Sequence, residues 1–176
     1  MMSRYFNLYM RILKNTHRSL PIFRPITKKR NFKFTRADLK YDIGGVDQLD
    51  INKLCGISHP FRDSRYDSRM IGWNYNLTTG NVKFWLYSHH PSRRSPKNPT
   101  GRFWSEMACI HADRIKTIAV NFEKDHVRLF VNLGKTQVVS TKYYQRVNRK
   151  YNRLIFPWFG GNRKAPKTLK FEFRTW

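Results

Sequence analysis

Apolar and polar residues alternate with a period of two along several parts of this chain, a pattern typical of β-strands with one buried face. Within residues 69–75, Ile71, Trp73 and Tyr75 fall on one face. A turn containing Thr-Thr-Gly follows, and residues 82–87 return with a second alternating run. The two runs predict a β-hairpin.

A second hairpin and three further strands are predicted later in the chain. The hairpin has Ile118, Val120 and Phe122 on one face before a turn at 123–126, and Val127, Leu129 and Val131 on one face after it. Residues 136–144 alternate weakly, residues 154–159 form an almost continuous apolar run, and residues 169–174 alternate clearly. Residues 49–57 suit either a short helix or an edge segment. Short strands, repeated hairpins and no convincing core helix predict an all-β fold, an antiparallel β-sandwich or jelly roll, with a partly open barrel as the alternative.

The first 36 residues differ from the rest because they contain many Lys and Arg residues and no acidic residue. Apolar residues at positions 5, 8, 9 and 12 have helical spacing, which predicts a basic amphipathic helix over residues 3–15. Pro21 and Pro25 then favour an extended linker. We therefore expect a basic, partly helical or disordered N-terminal arm at 1–36 and one β-sandwich domain at 37–176. The arm is interpreted as a tail entering an assembly or contacting nucleic acid, an organelle-targeting segment, or a disordered segment.

The charge of the chain narrows the possible partners. Thirty-five Lys and Arg against 11 Asp and Glu give a net charge of +24, well above the magnitude of about 2 to 8 usual for a small domain. A nucleic acid, an anionic glycan, an anionic membrane surface or an acidic protein face would neutralise it; a basic surface that only maintains solubility is the alternative. No apolar run is long enough to predict a transmembrane segment, and we expect no classical secretory signal.

Basic residues interleaved with aromatic residues mark the candidate binding positions. Lys and Arg neutralise phosphates or sulfates, while flat rings stack on bases or sugars. The predicted polyanion-binding residues are Lys28, Lys29, Arg30, Arg93, Arg94, Arg102, Arg146, Arg149, Lys150, Arg163 and Lys164. The predicted stacking residues are Trp104, Tyr143, Tyr144 and Tyr151. The alternative interpretation places these rings in the core and the charges on the opposite face.

No set of residues predicts catalysis. The conceivable acid pairs, which nothing local supports, are Asp63 with Asp67 and Glu106 with Glu123. Cys109 and His111 lack a third group for a nucleophilic triad. A lyase base at Tyr143 or His111 stays open, but the prediction is a protein that is not an enzyme.

Metal and cofactor binding are not expected either. His89 and His90 are adjacent on a predicted strand and point to opposite faces, so they do not chelate one ion together. Cys55 and Cys109 have no metal-ligand spacing and are expected to be free, buried thiols, although a single bridge between them is the alternative.

Three segments carry a resemblance to a known group of proteins. They are residues 50–58, residues 68–73, and residues 156–166, in which an aromatic-Gly-Gly-Asn-x-x-Ala-Pro stretch precedes the last strand. Together they are similar to small lectin-like sandwich proteins encoded by tailed phages and prophages of gut bacteria, over about residues 41–176. The resemblance implies a role in virion structure or surface attachment and no catalytic residues. This chain is more basic than is typical of that group, which weighs against a glycan-binding role.

The sequence therefore predicts a non-enzymatic structural or binding component of a larger particle, a phage virion, that contacts nucleic acid or acidic neighbours. Its expected partners are other subunits of the assembly and a polyanion, and its expected location is the virion or the host cytoplasm. The first alternative is a stand-alone module that binds nucleic acid or an anionic glycan. The second is an enzyme acting on polysaccharide, which a sandwich fold permits.

Overall fold

The computed structural model describes residues 31–146, 149–160 and 165–175, together with the backbone of residues 6–12 and 26–27. Over these residues the chain forms twelve strands. They are β1 (Phe6–Ile12), β2 (Ile26–Thr27), β3 (Asn31–Ala37), β4 (Asn52–Ser58), β5 (Ser68–Tyr75), β6 (Asn81–His89), β7 (Arg102–His111), β8 (Thr117–Phe122), β9 (His126–Asn132), β10 (Gln137–Tyr143), β11 (Asn152–Ile155) and β12 (Leu169–Thr175). Short 3-10 helices lie at Val46–Leu49, Pro91–Arg93 and Ala112–Arg114.

The strands form two antiparallel six-stranded sheets that face each other. Sheet A has the order β1-β12-β3-β8-β9-β10, and sheet B has the order β2-β11-β4-β5-β6-β7. The predicted all-β sandwich is therefore confirmed. Both predicted hairpins are present, as β5–β6 and β8–β9, and they form because alternating apolar residues give each strand one face to bury.

The core lies between the two sheets and is rich in aromatic rings. Trp73 on β5 is fully buried, and its ring meets Phe171 of sheet A edge-on, with ring centroids 5.7 Å apart. Its indole N–H donates to the carbonyl oxygen of Leu39 at 3.1 Å. The polar atom of this large side chain is therefore satisfied inside the core, as burial requires.

The helix predicted over residues 3–15 is wrong. Residues 6–12 form β1, which pairs antiparallel with β12 from Phe6 opposite Thr175 to Ile12 opposite Leu169. The same segment also alternates with a period of two, since residues 6, 8, 10 and 12 are apolar. Pairing with the free edge of β12 satisfies its backbone groups, whereas a short isolated helix in water is marginal.

The sandwich also includes residues that the sequence assigns to the arm. β3 begins at Asn31, and Phe32 and Phe34 are fully buried between the sheets. A Phe-Lys-Phe alternation was the only local signal, and surrounding basic residues obscured it.

Two other segments differ from the expectation. Residues 49–57 are neither a helix nor an edge, because the 3-10 helix ending at Leu49 leads into β4, which lies between β11 and β5. The predicted strand at 154–159 is shorter and earlier, as β11. None of the helical segments in the described part of the chain has the length and apolar character needed to cross a membrane.

Candidate functional site

Two basic loops meet at one end of sheet B because of the strand register. Ser58 at the end of β4 pairs with Ser68 at the start of β5, and Ser68 pairs with His89 at the end of β6. His89 in turn pairs with Arg102 at the start of β7. Loop 59–67 and loop 90–101 therefore leave the sheet side by side.

Loop 59–67 is held in shape by its own polar side chains. The backbone N–H of Phe61 donates to Nδ1 of His59 at 3.2 Å, and the backbone N–H of Arg65 donates to the Asp63 carboxylate at 2.7 Å. The backbone N–H of His59 also donates to the Asp67 carbonyl at 2.9 Å, which closes the loop. These bonds present Phe61 to solvent with 77% of its surface exposed.

Loop 90–101 is shaped by a capped turn and one glycine. The backbone N–H of Ser92 donates to Nδ1 of His90 at 3.1 Å, which caps the 3-10 helix Pro91–Arg93. Gly101 has a φ of +60°, and a Cβ there would lie 2.0 Å from the His90 carbonyl oxygen. Only glycine fits this close approach.

Three guanidinium groups on the two loops rest on aromatic rings. Arg62 and Arg94 lie over the ring of Tyr66, at 4.1 and 4.7 Å from its centroid. Arg93 lies 4.3 Å from the centroid of Phe103. Arg94 also donates to the carbonyl of Tyr66 at 3.4 Å, which ties the two loops together. We name these five residues the end array.

The end array concentrates positive charge at the surface. Arg62, Arg93 and Arg94 are exposed, and no salt bridge involves any of the three among the described residues. Their planar groups are oriented by the rings below and keep N–H groups for another partner.

A buried ionic cluster supports the loops from below. The Arg69 side chain is 1% exposed and donates to the Asp67 carboxylate at 2.6 Å and to the His89 carbonyl at 2.9 Å. Arg149 binds the other oxygen of Asp67, and its Nε donates to Asn152 at 3.0 Å. Burial alone would raise the pKa of Asp67, but the two guanidinium groups outweigh it and lower that pKa.

Arg102 and Trp104 lie on a second surface, a groove on the outer face of sheet B. The groove has a volume of about 510 Å³ and is lined by Leu49, Asp50, Ile51, Lys53, Tyr87, Arg102 and Trp104. The register pairs Tyr87 with Trp104, and Arg102 lies 5.0 Å from the Trp104 ring centroid. We name this the sheet B groove.

The other predicted residues do not form one group in the structure. The Tyr144 hydroxyl donates to the Glu123 carbonyl at 2.5 Å, whereas Tyr143 is 75% exposed. Tyr151 is 44% exposed, with Lys150 at 5.5 Å from its ring centroid. The same region touches loop 90–101, because the Ser92 hydroxyl donates to the Gln145 side chain at 2.7 Å. Arg146 in this region is exposed, while Lys28, Lys29, Arg30, Arg163 and Lys164 lie outside the described residues.

Three of the four acids considered for catalysis have cationic partners, Asp67 through the ionic cluster described above. Asp63 pairs with Arg65 at 3.2 Å, and Glu106 pairs with Lys83 at 3.2 Å. Cys55 and Cys109 are free, and Cys55 is buried as predicted, but the predicted burial of Cys109 is wrong because this residue lies exposed on the edge strand β7. In the described ranges no three His, Cys, Asp or Glu side chains gather as metal ligands would.

Several residues of both surfaces were missed in the sequence. Phe61, Arg62 and Tyr66 belong to a run, Phe-Arg-Asp-Ser-Arg-Tyr, that has the same interleaving of basic and aromatic residues as the predicted sites. The sequence pattern was therefore sufficient to predict these three residues. Lys53 and Tyr87 in the sheet B groove had no such local signal, because the register of four strands brings them together.

The sequence matches no protein-family model and no curated protein. Among solved structures, the chain is similar to fructan 1-exohydrolase IIa from Cichorium intybus, with a TM-score of 0.49, 13% identity, and coverage of 99% of this chain and 35% of that one. It is also similar to the kappa-carrageenase from Pseudoalteromonas carrageenovora, with a TM-score of 0.44, 10% identity, and coverage of 97% and 79%. At these low values neither likeness bears on the function of this chain.

Proposed function

We propose that this chain is a non-enzymatic binding subunit of a larger particle, a phage virion, and that its end array contacts nucleic acid. The observation that carries the proposal is the pair of guanidinium groups, Arg62 and Arg94, that share the ring of Tyr66 without an acidic partner among the described residues.

These side chains are preorganised for binding by the ring beneath them. A guanidinium that already lies on a ring loses less conformational freedom when it binds, and its fork of N–H groups matches two phosphate oxygens. Each neutralised phosphate also releases condensed counterions. Phe61, which is 77% exposed beside Arg62, offers a face on which a base stacks.

Membership of a particle is supported by the charge and by the resemblance to phage-encoded sandwich proteins. A net charge of +24 repels itself, and packaged nucleic acid would neutralise it. Mass spectrometry of purified particles tests this part of the proposal. We expect the chain in stoichiometric amounts in the particle fraction, and its presence only in the free protein fraction would contradict the proposal.

The binding experiment measures the affinity for a short labelled DNA duplex by fluorescence anisotropy. The variant Arg62→Ala/Arg94→Ala removes both guanidinium groups above Tyr66. The matched control is Arg114→Ala/Lys135→Ala, which removes the same charge from exposed positions at the end of the sheets that lies opposite the end array. We expect the first variant to bind about tenfold or more weakly, because contacts to charged groups are each worth about 1.5–3 kcal/mol. Equal losses in both variants would mean that total charge, and not the end array, provides the affinity.

The non-enzymatic part of the proposal has its own test. The purified protein is incubated with anionic glycans and nucleic acids while chain length and ultraviolet absorbance are followed. We expect no turnover. Sustained turnover that disappears in Tyr143→Phe or His111→Ala would overturn this part of the proposal and favour a lyase.

A further inference from the structure

The outer face of sheet B carries apolar side chains beside the sheet B groove, on a face that a lone sheet would expose to water. Met70 and Ile155 point outward from sheet B, yet they are 3% and 1% exposed and pack with Tyr87 and Ile51. Residues 49–51 cover this face closely, since a Cβ at Gly72 would lie 2.3 Å from the Ile51 side chain. The covering segment and the β6–β7 surface form the two walls of the groove.

Two cations are held in fixed positions at the groove. The Lys53 ammonium donates to the Ile51 carbonyl at 2.5 Å and lies 4.3 Å from the centroid of the Tyr87 ring. Arg102 lies at the start of β7 against Trp104, whose side chain is 48% exposed. The groove therefore combines a large half-exposed ring with two cations that lie against neighbouring rings.

The groove also contains acceptors. The Asp50 carboxylate and residues 49–51 form one wall. A polyphosphate offers only acceptor oxygens, so it has no donor for the Asp50 carboxylate. A saccharide offers hydroxyl donors for such acceptors and an apolar ring face for an indole. The volume of about 510 Å³ is also within the usual range of small-ligand sites.

We propose that the sheet B groove binds an acidic saccharide unit, with its carboxylate or sulfate directed to Lys53 and Arg102 and its ring stacked on Trp104. This site is separate from the end array and does not depend on nucleic-acid binding there. The high net charge argues against the binding of a neutral glycan. It does not argue against an acidic glycan, because the two cations in the groove would pair with its acid groups.

Isothermal titration calorimetry on the full chain tests the proposal. Four probes are used. Trigalacturonic acid carries carboxylates, and its methyl ester is the neutral match. The other two are a heparin-derived tetrasaccharide, which carries sulfates, and oligothymidylate. The variants are Trp104→Ala and Arg102→Ala, both at exposed positions that do not contribute to the core. Arg94→Ala in the end array is the control.

We expect at least one acidic probe to bind, the ester to bind about tenfold more weakly or not at all, and both groove variants to lose about tenfold in affinity. Arg94→Ala should change this affinity less than twofold. Tighter binding of the heparin tetrasaccharide, which carries sulfates in addition to carboxylates, than of trigalacturonic acid would indicate that sulfate contributes to the affinity.

Five outcomes would overturn the proposal. The first four are no binding of either acidic probe, equal binding of the ester, retained affinity in Trp104→Ala, and a stronger, Trp104-dependent affinity for oligothymidylate. A loss in Arg94→Ala equal to that in the groove variants would assign the affinity to the end array and would also overturn it.

Discussion

Replacement of Asp67 by Asn should destabilise the protein, because Asp67 is the shared acidic partner of two partly or fully buried guanidinium groups. Arg69 is 1% exposed, and Arg149 and Asp67 are each 16% exposed. An Asn side chain keeps one acceptor oxygen but removes the charge and turns an NH₂ group towards a cation. The buried charge of Arg69 then has no ionic partner at this position.

The magnitude follows from the burial. Removal of one partner of a buried ion pair costs about 3–5 kcal/mol, and the partial exposure of Asp67 places this case near the lower limit, about 3 kcal/mol. For chains of 150–250 residues, each kcal/mol shifts Tm by about 2–4 °C, so Tm should fall by about 6–12 °C. The loops of the end array rest on this cluster, so Asp67→Asn should also bind DNA more weakly than the wild type.

Thermal unfolding followed by circular dichroism measures the effect. Asp63→Asn is the matched control, since its pair with Arg65 has side-chain exposures of 59% and 72%, and exposed pairs are worth at most about 1 kcal/mol. A Tm shift for Asp67→Asn no larger than that of Asp63→Asn would show that the ion pairs of Asp67 do not stabilise the fold.

The pH dependence gives a second check on the same cluster. The folded-state pKa of Asp67 is lower than its ordinary value of 3.8 because the two guanidinium groups outweigh burial. A lowered folded pKa contributes stability that is fully present above the unfolded value and is lost as pH falls through the folded pKa. The difference in Tm between the wild type and Asp67→Asn should therefore be constant near neutral pH and shrink below about pH 4.

Three further predictions concern other residues. Trp73→Ala should cost about 3–5 kcal/mol in urea denaturation, because it empties a fully buried site; a cost below about 1 kcal/mol would contradict this packing. Gly101→Ala should reduce amide-exchange protection in loop 90–101, because its Cβ would meet the His90 carbonyl at 2.0 Å, and unchanged exchange rates would contradict that geometry. Burial and, less strongly, Arg102 lower the pKa of Lys53 to about 8, so acidic-saccharide affinity should weaken as pH rises through 8, and a pH-independent affinity would exclude Lys53 from the site.

The sequence predicted the parts of the fold that depend on local alternation. The hairpins β5–β6 and β8–β9 were found because each strand contains a run with apolar residues at alternate positions and a turn motif lies between the two strands. β7 was missed because it is an edge strand with weak alternation, and a register shift opposite Phe84 and Trp85 interrupts its pairing. Edge strands bury less, so their pattern is less informative.

The candidate site was only partly predictable for a different reason. Arg93 and Arg94 were identified from their local cluster of charge. Arg62 contacts the ring of Tyr66 within its own loop, whereas Arg94 reaches the same ring only through the register of β4, β5 and β6, which is a long-range property. Arg149 was predicted to bind a polyanion because its neighbours in the sequence are basic. In the structure it pairs with Asp67, which is distant in the chain.

The salt dependence of DNA binding tests the central claim, that the end array contacts nucleic acid, most directly. The slope of log Kobs against log salt concentration is measured for the wild type, for Arg62→Ala/Arg93→Ala/Arg94→Ala, and for the control Arg114→Ala/Lys135→Ala. Each phosphate contact contributes about 0.9 to the slope. We expect a slope smaller in magnitude by about 2–3 in the triple variant and little changed in the control. Identical slopes in all three proteins would contradict that claim.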